Sequence, residues 1–313
     1  MTRMTPDALP TTGLRQLSST RSLIPVLLFM VVSVISLQCQ AKIIHEEKSL
    51  YRNIAVKQTG NKRCLVFPSG RKDREQSCMD VSQPDKLIFP YVRMTFAGLM
   101  VNPNPSRILV VGLGGGSIPV TLAKIYPESQ IVVVEIDSAV VKVAEDYFGF
   151  KKTERITVSI VDARVFIKRA ALKGEQFDYI ILDAFNGDYI PEHLMTAEFL
   201  GEVRSLMTPT GVLVANTFST SSLYDHESVT YHQVFGDFVN FKLPVTGNRI
   251  ILASKSPLPD ALTIKKRVKT LQSSLSPFGI NIEKYPRYMH TEPDWDQEAK
   301  PLTDQYSPAN LLQ

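Results

Sequence analysis

The sequence predicts a doubly wound α/β fold preceded by a small antiparallel β-sheet, and two observations support this prediction. Between residues 107 and 217, short runs rich in Ile and Val alternate with amphipathic stretches, which is typical of a parallel sheet covered by helices on both faces. Upstream, residues 43–83 alternate short β-like runs with polar turns, which indicates a small antiparallel sheet. Folds of the first kind bind ligands at the carboxyl ends of their parallel strands, so we expect the site residues there.

The chain of 313 residues divides into four predicted segments. Residues 1–41 form a signal peptide or membrane anchor, residues 42–83 the N-terminal β domain, residues 84–255 the α/β domain, and residues 256–313 a C-terminal helix and tail. Apolar residues make up 44% of the sequence, which is enough to build a core in a chain of this length.

The N-terminal segment is predicted to target the protein to a membrane. Residues 23–37 form an almost unbroken apolar run that Arg15 and Arg21 precede. The run is within the range of a signal peptide and short for a membrane span, which leaves a cleaved signal and an uncleaved anchor both open. Basic residues lie on both flanks, so the side of the membrane is not determined. We expect a membrane-anchored or exported protein of the bacterial inner membrane or periplasm.

Two cysteines flank a predicted hairpin in the small β domain. Residues 68–70 are a turn sequence, and a turn centred on Arg71 would place Cys64 opposite Cys78. Directly opposed residues of an antiparallel pair can come close enough for a disulfide, which would suit an exported domain. The alternative is two free thiols on a half-buried hairpin.

The remaining elements follow in a regular order after a predicted helix over residues 84–101. The apolar runs and the amphipathic stretches predict strands at 107–112, 130–136, 156–161, 177–183 and 211–217 and helices at 118–126, 138–148, 163–172 and 194–207. Residues 238–243 and 249–254 are predicted to close the sheet as an antiparallel pair, and a basic amphipathic helix covers residues 262–275.

A glycine-rich loop joins the first parallel strand to its helix. Gly112, Gly114, Gly115 and Gly116 allow a sharp turn and a close approach to a ligand, while the helix N-terminus offers unpaired N–H groups. Glu135 ends the next strand, 19 residues after Gly116, the spacing at which a carboxylate reaches a ribose diol. Together they predict a site for a nucleotide-like cofactor. The alternative for the loop alone is a tight strand-to-helix turn.

Two more acids follow the third and fourth parallel strands. Asp162 precedes Ala163, and Asp183 ends the strand at residues 177–183. Because these strand ends share one edge of the sheet, we expect Glu135 on the ribose, Asp162 near the adenine amine and Asp183 at the reacting centre. One such acid alone would most simply cap a helix. Dinucleotide oxidoreductases share the loop, but Ser117 occupies the sixth position of their fingerprint, which favours an adenosyl site.

Composition and spacing exclude several other classes. Thirty-five basic and 31 acidic residues give a net charge of +4, and the chain after residue 41 is nearly neutral, so we expect no nucleic-acid partner. The five histidines show no ligand spacing, so we predict no metal site. We also expect a homo-oligomer.

From residue 43 to about residue 255 the sequence resembles the polyamine aminopropyltransferases, the family of the spermidine synthases. The segments that match include residues 47–56 (EKSLYRNIAV), 102–117 (NPNPSRILVVGLGGGS), 132–137 (VVVEID) and 244–254 (PVTGNRIILAS). More closely the chain is similar to a bacterial spermidine-synthase-like subgroup. The marks of that subgroup are DAFxxDxIPxHLxTxEF, at residues 183–199, and LTDxxxP, at residues 302–308.

The resemblance implies a small β domain joined to a Rossmann-like sheet of the class I methyltransferase type, which binds decarboxylated S-adenosylmethionine. The cofactor-binding residues implied by position are Gln76, Gly112, Gly114, Gly115, Gly116, Glu135, Asp162 and Ala163. Asp183 would hold or deprotonate the attacking amine, and Tyr91 would line the substrate pocket.

Three departures from the family pattern concern the substrate. The family has, at the position of Gly115, an aspartate that recognises the free amine of the cofactor. The second acid of the family's DSSDP-type segment is replaced by Asn186, and a carboxylate of its amine channel by Arg93. These changes make the amine pocket less negative, and a desolvated dication needs paired charges, so the identity of the acceptor stays open.

The function implied is aminopropyl transfer from decarboxylated S-adenosylmethionine to an amine. The first alternative is a methyltransferase that uses ordinary S-adenosylmethionine, which the loss of the acid at Gly115 would allow. The second is a non-catalytic exported binding protein with the same fold, because adenosyl sulfonium cofactors are made and kept in the cytosol while residues 1–41 indicate export.

Overall fold

The computed structural model describes residues 41–69, 72–186 and 189–306. Residues 1–40, on which the predicted signal peptide or anchor falls, lie outside the described residues, as does the chain beyond Tyr306. None of the helices in the described part combines the length and the apolar composition needed to cross a membrane.

The N-terminal unit is an antiparallel sheet of four strands in the order β1-β2-β3-β4. Its strands are β1 (Lys42–Lys48), β2 (Asn53–Thr59), β3 (Lys62–Ser69) and β4 (Lys72–Asp80). Cys64 pairs directly with Cys78 and the two form a disulfide, which confirms the predicted register. Nearer the turn, Ser69 pairs with Lys72, which shifts the register by one residue relative to the cysteine pair. A β-bulge at Gln76, which has no cross-strand partner, produces this shift.

The main sheet has eight strands in the order β12-β10-β11-β9-β8-β5-β6-β7. Its strands are β5 (Arg107–Val111), β6 (Gln130–Glu135), β7 (Ile156–Ile160), β8 (Phe177–Leu182), β9 (Met207–Phe218), β10 (Val239–Lys242), β11 (Asn248–Ser254) and β12 (Met289–His290). The strands β5 to β9 run parallel, and β10 and β11 form the predicted antiparallel closure. The doubly wound fold with an N-terminal antiparallel sheet is therefore confirmed.

The α-helices are α1 (Pro90–Met94), α2 (Ser117–Ile125), α3 (Ser138–Tyr147), α4 (Ala163–Leu172), α5 (Ala197–Ser205), α6 (Tyr224–Phe235) and α7 (Ala261–Leu275). Most match a predicted helix, but α6 was not predicted. The continuous helix predicted over residues 84–101 is wrong. Only α1 is α-helical there, with Pro90 in its first turn, and a 3-10 helix (Thr95–Met100) follows. This segment is buried on all sides, and a Cβ at Gly98 would lie 2.6 Å from the Tyr179 hydroxyl.

The core lies on both faces of the main sheet. In β5, Ile108 and Val110 pack into the cluster on one face, while Leu109 and Val111 pack into the cluster on the other, and none is more than 1% exposed. This explains why the parallel strands are continuous apolar runs. The small sheet buries its own apolar face against helix α3.

The C-terminal segment returns to the α/β domain at the N-terminal ends of α4 and α5. Asp304 accepts two hydrogen bonds of 2.7 Å from Arg164, in the first turn of α4, and one of 2.8 Å from Thr196, the residue before α5. The side chain of Leu302 is buried beside these contacts. The LTD sequence thus fastens the chain end to two helices whose N-termini point toward the carboxyl edge of the sheet.

Candidate active site

The predicted site residues lie along one edge of the main sheet in the order of its strands. Asp162 follows β7, Glu135 ends β6, Gly112 follows β5, Asp183 follows β8, and Asn216 is near the end of β9. Neighbouring strands are about 4.8 Å apart, so these side chains span one continuous edge. Gly112, after β5, lies between Glu135 and Asp162 on one side and Asp183 on the other.

A cavity of about 310 Å³ opens at this edge. The predicted site residues that line it are Gln76, Tyr91, Gly112, Gly114, Glu135, Asp162, Ala163 and Asp183. Gly115 and Gly116 do not line the cavity and pack against Phe148 and Phe150. The structure therefore places residues from the small sheet, from α1 and from four strand ends around one cavity, as the sequence predicts.

Two glycines of the loop are required by their surroundings. Gly112 has φ +96°, and a Cβ at this position would lie 2.3 Å from the carbonyl oxygen of Asp183. Gly116, before α2, has φ +78°, and its Cβ would lie 2.8 Å from the Phe150 ring. The loop can pass over β8 and enter the helix only with glycine at both positions.

At Gly115 the structure explains the departure from the family pattern. A Cβ here would lie 3.1 Å from Ser77 Cβ and 3.1 Å from Phe148 Cδ1. Ser77 of β4 is only 8% exposed and lines the cavity beside the loop. The space that the family's aspartate would need is thus filled by the hairpin of the small sheet and by the residue after α3.

Glu135 braces the glycine loop as well as facing the cavity. Its carboxylate accepts hydrogen bonds from the backbone N–H groups of Leu113, at 3.0 Å, and Asp137, at 3.1 Å. Burial raises the pKa of Glu135, while these two hydrogen bonds and the Arg52 charge act in the opposite direction. A carboxylate has about four lone-pair positions, so two remain for the hydroxyls of a ribose.

Arg52 is a cationic wall residue to which the sequence analysis assigned no role. Its guanidinium lies 4.5 Å from the centre of the Phe67 ring, and one terminal nitrogen donates to the Phe185 carbonyl at 3.4 Å. Its Nε is buried without a hydrogen-bond partner among the described residues. Arg52 thus brings positive charge to the Glu135 side of the cavity.

Asp162 has two protein partners. One oxygen caps α4 by accepting from the Val165 N–H at 3.0 Å, and the other lies 3.0 Å from His193 Nε2. Burial acts to raise the pKa of Asp162, but the hydrogen bonds from Val165 and His193 outweigh it and lower the pKa. His193 also lines the cavity and was missed, because the histidines were considered only as metal ligands. The feature that could have identified His193 from the sequence is its position in the IPxHL part of the subgroup motif.

Asp183 lines the cavity at the carboxyl end of β8. One carboxylate oxygen accepts a hydrogen bond of 2.7 Å from Asn216 Nδ2. Burial raises the pKa of Asp183 to about 7, although the Asn216 hydrogen bond acts to lower it. Burial and the charge of Asp183 also raise the pKa of Tyr91, whose hydroxyl donates to the Gln76 carbonyl at 3.2 Å. Asp183 can therefore change protonation near neutral pH while Tyr91 stays protonated.

A second cavity, of about 780 Å³, adjoins the first beyond Asp183. The two cavities share Gln76, Tyr91 and Phe185 as lining residues. The side chains that make the second cavity polar are Arg74, Glu75, Asn216, Thr220, Ser221, Ser222, Glu227 and Asn248. No sequence pattern predicts a site role for these residues.

The predicted effect of Arg93 on this region is wrong. Arg93 lines neither cavity, and its guanidinium donates to the Leu87 carbonyl at 3.4 Å. The charged groups that do line the second cavity include two carboxylates, those of Glu75 and Glu227. Arg93 therefore adds no positive charge to the lining of either cavity.

Known proteins resemble the chain over most of its length. Residues 91–246 match the model of the spermine/spermidine synthase domain. The chain is 56% identical over 275 residues to a polyamine aminopropyltransferase of Vibrio vulnificus, an alignment that covers 87% of this chain and 92% of that protein. A bovine eEF1A lysine and N-terminal methyltransferase is 37% identical over 131 residues, which is 38% of this chain and 19% of the relative.

Solved structures share the fold. A probable spermidine synthase from Corynebacterium glutamicum superposes with a TM-score of 0.66 at 21% identity, over 85% of this chain and 98% of that one. A spermidine synthase in complex with the transition-state analogue AdoDATO superposes with a TM-score of 0.55 at 17% identity, over 75% of this chain and 88% of that one. These likenesses support the class I methyltransferase-type fold, and the identity to the Vibrio relative establishes the kinship. The chain belongs to the spermine/spermidine synthase family.

Proposed function

We propose that this protein transfers the aminopropyl group of decarboxylated S-adenosylmethionine to a small amine, a reaction of polyamine biosynthesis. The proposal rests on one observation: a nucleoside-sized cavity lined by the buried carboxylate of Asp183 adjoins a larger cavity, and Asn216 of that second cavity is hydrogen-bonded to Asp183. The relative from Vibrio vulnificus, named a polyamine aminopropyltransferase, supports the same reaction.

The donor occupies the first cavity in this proposal. Glu135 has lone pairs left for the ribose hydroxyls, and Asp162 with Ala163 lies one strand further, where the adenine would be held. Gly112 lets the backbone approach the donor closely next to Asp183. The sulfonium needs no further activation, because its positive sulfur is a good leaving group. The protein's main task is alignment, which can contribute about 7–11 kcal/mol to lowering the barrier.

The acceptor amine enters from the second cavity and must be neutral to attack. Its nitrogen forms a bond to the propyl carbon attached to sulfur, the carbon–sulfur bond breaks, and sulfur keeps the electron pair as a neutral thioether. The proton that the amine loses goes to the Asp183 carboxylate. A pKa of about 7 suits Asp183 to take up a proton at neutral pH. The lining of the second cavity includes the carboxylates of Glu75 and Glu227, which form ion pairs with Lys62 and Arg249.

Methyl transfer from ordinary S-adenosylmethionine is the second candidate. The favouring observation is that Gly115 packs against Ser77 and Phe148, so the loop has no carboxylate to recognise a lone amine. Titration calorimetry with the two cofactors separates the candidates. A clear preference for the decarboxylated cofactor would end this alternative. The enzymatic relatives favour either transferase over the non-catalytic exported protein.

The test of the proposed function is turnover. Purified full-length protein is incubated with decarboxylated S-adenosylmethionine and a panel of diamines and polyamines, and methylthioadenosine and the aminopropylated amine are quantified by mass spectrometry. We expect both products in equal amounts and turnover lowered about 10²–10⁴-fold in Asp183→Asn. Failure to consume the cofactor with any amine would remove the proposal.

We also propose that residues 1–41 direct the protein to the bacterial membrane. The apolar run at residues 23–37 and the two arginines before it support this proposal. The test fuses residues 1–41 to a reporter enzyme that is active only after export. A fusion that accumulates without reporter activity and is absent from the membrane fraction would contradict it.

A further inference from the structure

A chain of hydrogen-bonded side chains runs from a surface turn to Asp183. Asn216 Nδ2 donates to an Asp183 carboxylate oxygen at 2.7 Å, and Asn248 Nδ2 donates to Asn216 Oδ1 at 3.0 Å. The Thr246 hydroxyl in turn donates to Asn248 Oδ1 at 2.7 Å. Four side chains from three separate segments are thereby linked in one line.

Every hydrogen bond in this chain points the same way. The Thr246 hydroxyl uses its proton on Asn248 Oδ1, which leaves the Asn248 amide nitrogen facing Asn216 Oδ1. The Asn216 amide then has only its nitrogen left to present to Asp183. An ionised carboxylate can only accept, so the direction of the chain matches an ionised Asp183. An amide turned the other way would place two oxygens against each other.

The backbone holds the outer end of this chain in place. Asn248 begins β11 and pairs with Phe218 of β9, and the Ser219 N–H donates to the Gly247 carbonyl at 2.9 Å. The Asn248 N–H also donates to the Thr246 hydroxyl at 3.3 Å. Thr246 is half-buried, whereas Asn216 is 3% exposed, so the chain leads from the surface into the core. Thr246 and Asn248 belong to the PVTGNRIILAS segment, for which the proposed reaction gives no role.

The other ionisable groups near Asp183 come from different elements. Tyr91 of α1 faces it and stays protonated, and Glu135 and Arg52 line the same cavity across the glycine loop. On the acceptor side, Glu227 is held by an ion pair of 3.0 Å with Arg249. The strongest specific contact to the Asp183 carboxylate is thus the Asn216 amide.

We propose that Thr246, Asn248 and Asn216 are positioning residues that hold the Asp183 carboxylate in the orientation in which it receives the proton of the acceptor amine. This inference rests on the proposed function for its catalytic meaning. The hydrogen bond from Asn216 occupies one carboxylate oxygen, which leaves the other for the proton of the amine. Loss of any link frees an amide to rotate and weakens the hydrogen bond that favours the ionised form.

The experiment uses the full-length protein and four variants: Thr246→Val, Thr246→Ser, Asn248→Leu and Asn216→Leu. The acid limb of the kcat/KM profile reports protonation of Asp183. We expect it to move to higher pH in the Val and Leu variants, with kcat/KM near pH 6 lowered about threefold in Thr246→Val and about tenfold in Asn216→Leu. The loss should fall on kcat and not on the KM of the cofactor. Thr246→Ser keeps the hydroxyl and should restore the wild-type profile.

Two further measurements make the result decisive. Thr210→Val is the matched control, because Thr210 is exposed on β9 and its side chain makes no hydrogen bond among the described residues. Titration of the Asp183 carboxyl by carbon-13 NMR, assigned by its loss in Asp183→Asn, needs no turnover. A raised midpoint in folded Thr246→Val and Asn248→Leu supports the chain even if the proposed reaction fails. An unchanged midpoint and an unchanged acid limb in both variants would overturn it.

Discussion

Substituting Gly115 tests whether packing, and not chemistry alone, excludes the family's aspartate from the loop. A Cβ at this position would lie 3.1 Å from Ser77 and 3.1 Å from Phe148, and these contacts are a few tenths of an ångström too short. Phe148 is 9% exposed and belongs to the cluster between α3 and the small sheet, so it has little room to move. Both Gly115→Ala and Gly115→Asp should therefore destabilise the protein.

The magnitude follows from the contacts. Overpacking of a well-filled region costs about 1–3 kcal/mol, and Gly115→Ala should lie near the lower end because only one carbon is added. Gly115→Asp adds a carboxylate against an aromatic ring and should cost about 1 kcal/mol more. Removing the opposing side chain with Ser77→Gly relieves half of the contact, so the double variant Ser77→Gly/Gly115→Ala should be more stable than the sum of the two single variants predicts.

The free energy of unfolding is measured by urea denaturation of wild type and the four variants, with cofactor affinity measured by calorimetry. We expect the midpoint to fall in the order wild type, Gly115→Ala, Gly115→Asp, and the cycle with Ser77 to be non-additive. If Gly115→Asp were as stable as wild type and bound the decarboxylated cofactor more tightly, the glycine would not be a consequence of packing, and the steric argument would be refuted.

Three further changes have defined outcomes. Asp183→Asn should lower kcat about 10²–10⁴-fold, and it should remove the decline in kcat/KM that protonation of Asp183 causes in wild type below about pH 7. Arg249→Met leaves the buried carboxylate of Glu227 unpaired and should lower the free energy of unfolding by about 3–5 kcal/mol, measured by urea denaturation. The double variant Arg249→Met/Glu227→Leu should recover much of this loss. Equal stability of the single and the double variant would contradict this reasoning. His193→Ala removes a partner that lowers the pKa of Asp162, so the carboxyl should titrate at higher pH by NMR.

The sequence predicts the strands and the acids of the site because both follow simple spacing rules. Buried parallel strands must be apolar on both faces, so β5 and β8 are visible as continuous runs, and the residue after each strand necessarily falls on the carboxyl edge. Glu135, Asp162 and Asp183 are therefore placed together without any knowledge of side-chain contacts.

What the sequence does not predict depends on contacts between distant segments. Asn216 and Asn248 are 32 residues apart and meet only because β9 and β11 pair. Gln76 occupies a bulge that alternation alone cannot reveal. The helix predicted over residues 84–101 fails because burial on all sides erases the amphipathic pattern, which leaves composition to suggest a longer helix than the core allows.

The attachment of Asp304 to Arg164 and Thr196 has a consequence for biosynthesis. Arg164 immediately follows Ala163, which lines the nucleoside end of the cavity, and its partner lies 140 residues further along the chain. The ribosome must therefore extend the chain past Asp304 before these hydrogen bonds can form. A nascent chain halted before the LTD sequence would lack these hydrogen bonds to α4 and to the residue before α5, so the Ala163 side of the cavity would be held less firmly.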